Sequence, residues 1–93
     1  MQFEWDREKA ANNLKKHRVS FKEAATVFGD PLSQTFSDPG HSIDENRFIT
    51  IGISEQGKVL VIAHSDRNDI IRILSARKAT PKERKYYEEE SQQ

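Results

Sequence analysis

The side chains of this sequence that could take part in chemistry are cations, histidines and carboxylates, because the 93-residue chain contains no cysteine. Without cysteine there is no thiol nucleophile, no disulfide and no thiolate zinc site. The three histidines, His17, His41 and His64, lie far apart and lack helical or finger-like spacing to one another. The adjacent His64, Ser65 and Asp66 do not form a catalytic triad, because neighbouring residues on a strand point to opposite faces.

This set of side chains suits the cleavage of RNA without a metal ion. In that reaction the 2′-hydroxyl attacks the adjacent phosphate, while the protein removes one proton and supplies another to the leaving 5′-oxygen. The protein must also stabilise a pentacovalent phosphorane. Arginine suits this last task because it stays charged and can bind two phosphate oxygens at once. No histidine pair marks the proton-transfer groups, so those roles stay open at this point.

The basic residues are concentrated in two stretches, although the formal net charge of the chain is zero. Residues 9–22 contain five basic residues and no acid, and residues 72–85 contain six basic residues with one acid, Glu83. Such asymmetry is typical of a surface that meets a polyanionic or acidic partner. Two solvated helix faces would explain the same pattern.

The spacing of the apolar residues predicts an α+β domain in the order β-α-α-β-β-β-β-α. Capping residues mark three helix starts, at Asp6, Ser20 and Thr80. The predicted strands cover residues 2–5, 32–36, 47–54, 59–64 and 70–75, with turns at 55–58 and 66–69. Consecutive hairpins make most of the sheet antiparallel, and the two early helices pack on one of its faces. The pairing of the first strand is left open.

A single domain is predicted over residues 1–87, followed by an acidic, frayed tail over residues 88–93. No apolar run reaches the length of a membrane span, and the N-terminus lacks the apolar region of a signal peptide. Together with the absence of cysteine, these features predict a cytoplasmic protein.

Several short runs follow one another in a characteristic order. Near the C-terminus they are Ile70 to Thr80, Glu83-Arg84 and Tyr86-Tyr87. Earlier in the chain they are Phe3 to Asp6, Asn13 to His17, Val19 to Phe21, Glu23-Ala24, Asp38-Pro39, His41-Ser42, Glu45 and Arg47. In this order they resemble the BrnT family of bacterial toxins over nearly the whole chain. Arg18 departs from the pattern, because the family usually has glycine at this position.

The resemblance implies a RelE-like fold and a ribonuclease that inhibits translation and growth without a cofactor. It also implies neutralisation by BrnA, a ribbon-helix-helix antitoxin. The expected complex has two toxin and two antitoxin chains and binds operator DNA through the antitoxin. The alternative is a non-catalytic module that binds nucleic acid or protein through the same basic surfaces.

Four residues are candidates for catalysis, namely Arg77, Arg72, Glu45 and His64. Arg77 ends an apolar strand just before a helix N-terminus, where backbone N–H groups favour anions, and the alternative is a salt bridge to Glu83. Arg72 lies among isoleucines and must face a cleft, an ion pair or solvent. Glu45 is a candidate general base or a surface ion-pair partner. His64 is a candidate acid or base, or a structural histidine of the sheet.

Six residues are candidates for RNA binding, namely Lys16, His17, Arg47, Arg67, Lys78 and Tyr86. Lys16 and His17 close the first helix, where their charges also complement the helix dipole. Arg67 lies in a predicted turn, where a solvated role is the alternative. Tyr86 can stack on a base, and one of the tyrosines at 86 and 87 is expected to pack in the core.

Overall fold

The computed structural model describes residues 1–38, 40 and 46–91. Its elements are β1 (Gln2–Glu4), α1 (Arg7–His17), α2 (Phe21–Thr26), β2 (Gln34–Ser37), β3 (Arg47–Ile53), β4 (Val59–Arg67), β5 (Ile70–Lys78) and α3 (Pro81–Glu90). A turn of 3-10 helix, Val27–Gly29, extends α2. The predicted α+β class and element order are confirmed. None of the three helices in the described ranges is long and apolar enough to cross a membrane.

The five strands form one sheet in the spatial order β1-β5-β4-β3-β2. The pairs β2–β3, β3–β4 and β4–β5 are antiparallel, as the predicted hairpins require. The first strand lies parallel to β5, with Gln2, Phe3 and Glu4 opposite residues 70–72. Because β1 covers only three residues of β5, the rest of that edge needs another partner. The side chain of Asn13 bonds to the N–H (3.1 Å) and the C=O (2.8 Å) of Ala76 there.

The two faces of the sheet carry different helices. On the helix face, α1 and α2 cover the main core, made of Val19, Phe21, Ala24, Val27, Leu60, Ile62, Ile71, Ile73 and Ala76. On the other face, here called the open face, α3 covers a smaller cluster of Ile51, Ala79 and Tyr87 with Val59 and Val61. Side chains alternate along β4, so its even-numbered residues face the main core and its odd-numbered residues the open face. The expected packing of both early helices on one face is confirmed.

Arg18 ends α1 in the left-handed conformation, with φ 59° and ψ 27°. Its backbone N–H donates to the carbonyl of Leu14 at 2.9 Å, which closes the last turn. A residue with a Cβ atom is strained in this conformation, whereas glycine is not. The structure therefore gives a physical reason for the glycine that the sequence resemblance leads one to expect at this position.

We expect Arg18→Gly to raise the free energy of unfolding by roughly 0.5–1 kcal/mol, because the relief of left-handed strain exceeds the added entropy of the unfolded chain. Chemical denaturation of the parent and the variant measures this change. The matched control is Arg18→Ala, which removes the same charge and keeps the strain. An equal gain for both variants would contradict the conformational explanation.

The hairpin between β4 and β5 is tighter than the sequence predicts. Strand β4 continues to Arg67 rather than ending at residue 64, so the predicted turn over residues 66–69 is wrong in extent. The turn consists of Asn68 and Asp69, both with positive φ (52° and 68°). A two-residue turn with positive φ at both positions matches the right-handed twist of the two strands that it joins. Asp66 and Arg67 look like turn residues because they are polar, but both still pair with β5.

A β-bulge interrupts the pairing of β4 with β5. Ala63 lies opposite Ser75 but His64 lies opposite Ile73, so Leu74 is an extra residue in β5. The bulge shifts the alternation of β5, whose buried residues are 71, 73 and 76. Arg72 and Arg77 are five residues apart, and strict alternation would place them on opposite faces. With the bulge, both face the open side.

Helix α3 begins with a full capping box. The Thr80 hydroxyl accepts a hydrogen bond from the Glu83 N–H at 3.1 Å, and the Glu83 carboxylate accepts one from the Thr80 N–H at 2.9 Å. Of the two tyrosines, Tyr87 is buried and donates a hydrogen bond to Asp30. The helix runs to Glu90 and therefore includes the three glutamates that the sequence assigns to a frayed tail.

Candidate active site

A row of polar side chains crosses four strands at one end of the open face. Glu4 on β1 lies opposite Arg72 on β5, which lies opposite Ser65 on β4, which in turn lies opposite Arg47 on β3. Arg67 stands on the same face, two residues beyond Ser65. Together these residues line a groove of about 620 Å³ whose walls also include Lys9 and Asp66. The groove thus gathers four basic side chains from three distant parts of the sequence.

Arg72 forms an ion pair within this groove. Its Nη1 lies 2.8 Å from Oε2 of Glu4, and both side chains are close to half exposed. An exposed pair of this kind contributes little to stability because water and salt screen it. The Arg72 guanidinium therefore stays accessible from solvent although it is paired.

Arg77 lies two rows further along the open face, opposite Val61. Its Nη1 and Nη2 donate to the two carboxylate oxygens of Glu83 at 2.7 and 2.9 Å. This bidentate pair raises the pKa of Arg77. The hydrogen bonds from Arg77 and from the Thr80 backbone also hold the pKa of Glu83 at about 2. The capping box fixes Glu83, so the start of α3 determines where the guanidinium of Arg77 lies.

The guanidinium of Arg77 keeps two donors beyond those that bind Glu83 and the Lys78 carbonyl. A guanidinium has five N–H donors in one plane. Two of them bind Glu83, and a second Nη1 donor points to the carbonyl of Lys78 at 3.3 Å. Among the described residues, no acceptor is seen for the Nε–H or the second Nη2 N–H. These two donors share one edge of the plane, and their spacing fits two oxygens of a phosphate.

His64 lies on the helix face, away from the arginines. Its ring is 1% exposed, lies between Phe28 and Phe48, and has both nitrogens hydrogen-bonded. Nε2 lies 2.7 Å from the hydroxyl of Thr50, and Nδ1 lies 2.7 Å from Asp66. Burial lowers the pKa of His64, and Asp66 partly offsets this effect. The structure therefore does not bring His64 together with Arg72 and Arg77.

A chain of hydrogen bonds that sequence reasoning missed surrounds this histidine. The hydroxyl of Thr50 also bonds to that of Thr35 at 2.7 Å, so the chain runs from β2 through β3 to β4. Alternation correctly separates Ser65 from its neighbours, because His64 and Asp66 share one face and Ser65 the other. The signal available in the sequence was Thr50 itself, a hydroxyl residue among isoleucines whose partner only the strand register reveals.

His64 makes the stability of the fold pH-dependent in a defined direction. The pKa of His64 in the folded protein is below its unfolded value near 6.5. The contribution of His64 to the free energy of unfolding is therefore complete above about pH 6.5 and falls as the pH drops below that value. We expect the advantage of the parent over His64→Gln in free energy of unfolding to shrink between about pH 7.5 and 5.5. Denaturation at several pH values measures this, and parallel pH profiles would contradict it.

The remaining predicted residues are distributed over the molecule. Lys16 and His17 lie in the last turn of α1, on the helix side of the sheet, and Lys78 ends β5. Tyr86 is 40% exposed on α3, and its hydroxyl donates to Gln34 at 3.1 Å. Glu45 lies outside the described residues. The structure thus brings together Arg47, Arg67 and Arg72, places Arg77 on the same face, and leaves Lys16 and His17 elsewhere.

Comparison with known proteins now adds to this geometry. A family model described as "Ribonuclease toxin, BrnT, of type II toxin-antitoxin system" matches residues 5–83. The chain belongs to the BrnT family. A search of curated proteins gave no match. Among solved structures, the 1.1 Å crystal structure of the Brucella abortus ribonuclease toxin BrnT is similar, with a TM-score of 0.67 and 18% sequence identity. The match covers 86% of this chain and 97% of that chain.

Membership of the BrnT family makes this chain a ribonuclease toxin of a type II toxin–antitoxin system. The resemblance drawn from the sequence is thereby confirmed. At 18% identity, the Brucella structure shows that the fold is shared and does not assign roles to side chains.

Proposed function

We propose that this BrnT-family protein cleaves RNA without a metal ion and that Arg77 stabilises the phosphorane. One observation carries the proposal. Glu83 binds one edge of the Arg77 guanidinium and leaves the adjacent edge, with two N–H donors, facing away from the ion pair. A guanidinium held in advance stabilises developing charge without having to reorganise during the reaction.

In the proposed reaction, the RNA supplies its own nucleophile. The 2′-oxygen forms a bond to phosphorus as its proton passes to a general base. Negative charge builds up on the two non-bridging oxygens, which accept hydrogen bonds from Arg77. The bond from phosphorus to the 5′-oxygen then breaks, and that oxygen takes up a proton. The products are a 2′,3′-cyclic phosphate and a 5′-hydroxyl.

The groove at the other end of the open face binds a second part of the RNA strand in this proposal. Arg72 and Arg77 stand opposite Ser65 and Val61, which are four residues apart on β4. At the rise of an extended strand this separates them by about 13 Å. An RNA strand running along β5 would therefore contact the two arginines through different phosphates, with Arg47 and Arg67 beside Arg72.

The burial of His64 bears on which group we propose for proton transfer. The ring of His64 is buried on the helix face with both nitrogens hydrogen-bonded, so we do not propose it as the base or acid for a phosphate held by Arg77. Glu45 remains the candidate for the general base that the sequence suggested, and it lies outside the described residues. The proposed catalytic set is thus Arg77, with Arg72 binding substrate and Glu45 as the base.

The partner follows from the family. A type II system has a protein antitoxin, and we propose a BrnA-like ribbon-helix-helix protein for this role. In the same proposal, two toxin and two antitoxin chains form a complex that binds operator DNA through the antitoxin. An RNA substrate and an operator are both found in the cytoplasm, which supports a cytoplasmic location in this proposal.

The test is cleavage of a long single-stranded RNA in EDTA by the purified parent and by Arg77→Ala. We expect the variant to lose roughly 100-fold or more in rate, because it lacks the donors that stabilise the phosphorane. The matched control is Arg84→Ala, which removes an exposed arginine of α3. A parent that cleaves only with added metal, or an Arg77→Ala variant that cleaves normally, would overturn the mechanism.

Glu83 provides a second test of the same site. The change Glu83→Gln keeps the side-chain shape and the capping position but removes the charge that holds Arg77. We expect kcat to fall roughly tenfold with little change in KM, because Arg77 is then positioned less well in the transition state. Faster cleavage by Glu83→Gln would mean that Glu83 competes with the phosphate and does not position the arginine. Glu4→Gln controls for the loss of a carboxylate beside an arginine.

A further inference from the structure

An apolar groove between α3 and the sheet plays no part in the proposed cleavage. It has a volume of about 360 Å³ and is lined by Phe36, Ile49, Ile51, Val61 and Tyr86, with Lys82 and Glu83 at one end. Two of its lining residues, Phe36 on β2 and Tyr86 on α3, pack against each other with ring centroids 6.1 Å apart. Both rings face solvent, with exposures of 44% and 40%. Exposed aromatic residues around an apolar groove mark a binding surface.

The edge of the sheet beside this groove is also open. In the described part of the chain, β2 pairs only with β3, so its outer backbone groups have no strand partner. Phe36 is on this edge strand and faces the open side. An extended segment that paired with β2 would place alternate side chains beside Phe36, on the face of the sheet that carries the groove.

From these features we infer that the antitoxin lays an extended, apolar segment along the open edge of β2, pairing with that strand and placing apolar side chains over the groove beside Phe36. Family membership indicates that a protein partner exists, and the lining of the groove indicates which side chains that partner would bring. Apolar side chains match a floor of isoleucine and valine. Carboxylates at the end of the segment match Lys82, which stands at the rim of the groove.

A nucleobase is a poorer match for this groove. Bases are recognised by stacking together with hydrogen bonds to their polar edges. Among the described residues, the charged side chains lining the groove are Lys82 and Glu83, which follow each other at the start of α3. Glu83 already binds Arg77 and the Thr80 N–H. An apolar protein side chain requires no such partners.

The position of the groove links binding to inhibition. Its end at Glu83 adjoins Arg77, which Glu83 binds, so a segment seated there would stand in the way of RNA that approaches this end of the open face. This consequence rests on the proposed function, whereas the docking itself does not. Binding and inhibition can therefore be measured separately.

The experiment uses the purified product of the reading frame adjacent to the one that encodes this chain. Its binding to the parent, to Phe36→Lys and to Leu14→Lys is measured by calorimetry without RNA. Leu14 is a matched control, because it is an apolar side chain 49% exposed on α1. We expect Phe36→Lys to weaken binding at least roughly tenfold, as for the loss of an aromatic anchor. Leu14→Lys should bind like the parent.

Thermal unfolding checks that each variant is folded. The second variant is Phe36→Ala, which removes only the ring and should weaken binding less than Phe36→Lys. Both Phe36 variants should cleave RNA like the parent, and the partner should inhibit Phe36→Lys poorly. No binding by the parent, unchanged binding by both Phe36 variants, or equal loss in Leu14→Lys would overturn the inference. Loss of cleavage with intact partner binding would assign the groove to RNA. Failure of cleavage in the parent would count against the proposed function alone.

Discussion

One extra residue in β5, Leu74, decides which side chains share the open face. Strand β5 must bury Ile71, Ile73 and Ala76 against the helices, and these positions do not follow a single alternation. The bulge resolves this conflict by shifting the phase of the strand between residues 73 and 76. The same shift turns Arg72 and Arg77 toward one face. The packing of the core and the convergence of the arginines thus have one cause.

Helix α3 connects the stability of the fold to the proposed chemistry. Glu83 completes the capping box that starts this helix and also holds Arg77 by both carboxylate oxygens. The helix is attached to the sheet by Tyr87 on its inner side and by Tyr86 at the groove. Any partner that displaces or covers α3 would therefore affect Arg77, because the Glu83 carboxylate both caps this helix and binds the guanidinium.

The features predicted correctly were those specified by neighbouring residues. Capping residues at Asp6, Ser20 and Thr80 mark the helix starts, since the groups they satisfy lie within three residues of them. Long-range contacts decided the rest. Asn13 looks unfavourable inside a helix, yet its amide closes the edge of β5 at Ala76, 63 residues away. The length of β4 was missed because polarity alone does not distinguish a strand end from a turn.

By itself, the sequence determined the α+β class and the family, and it singled out the arginines near the C-terminus as candidates. These follow from local patterns and from side-chain chemistry, which do not depend on register. Tertiary structure alone decided that Arg47, Arg67 and Arg72 share a groove, that Arg77 joins their face, and that His64 lies on the other side. The physical reason is that a strand residue's face depends on register, and a bulge reverses it without leaving a signal in the sequence.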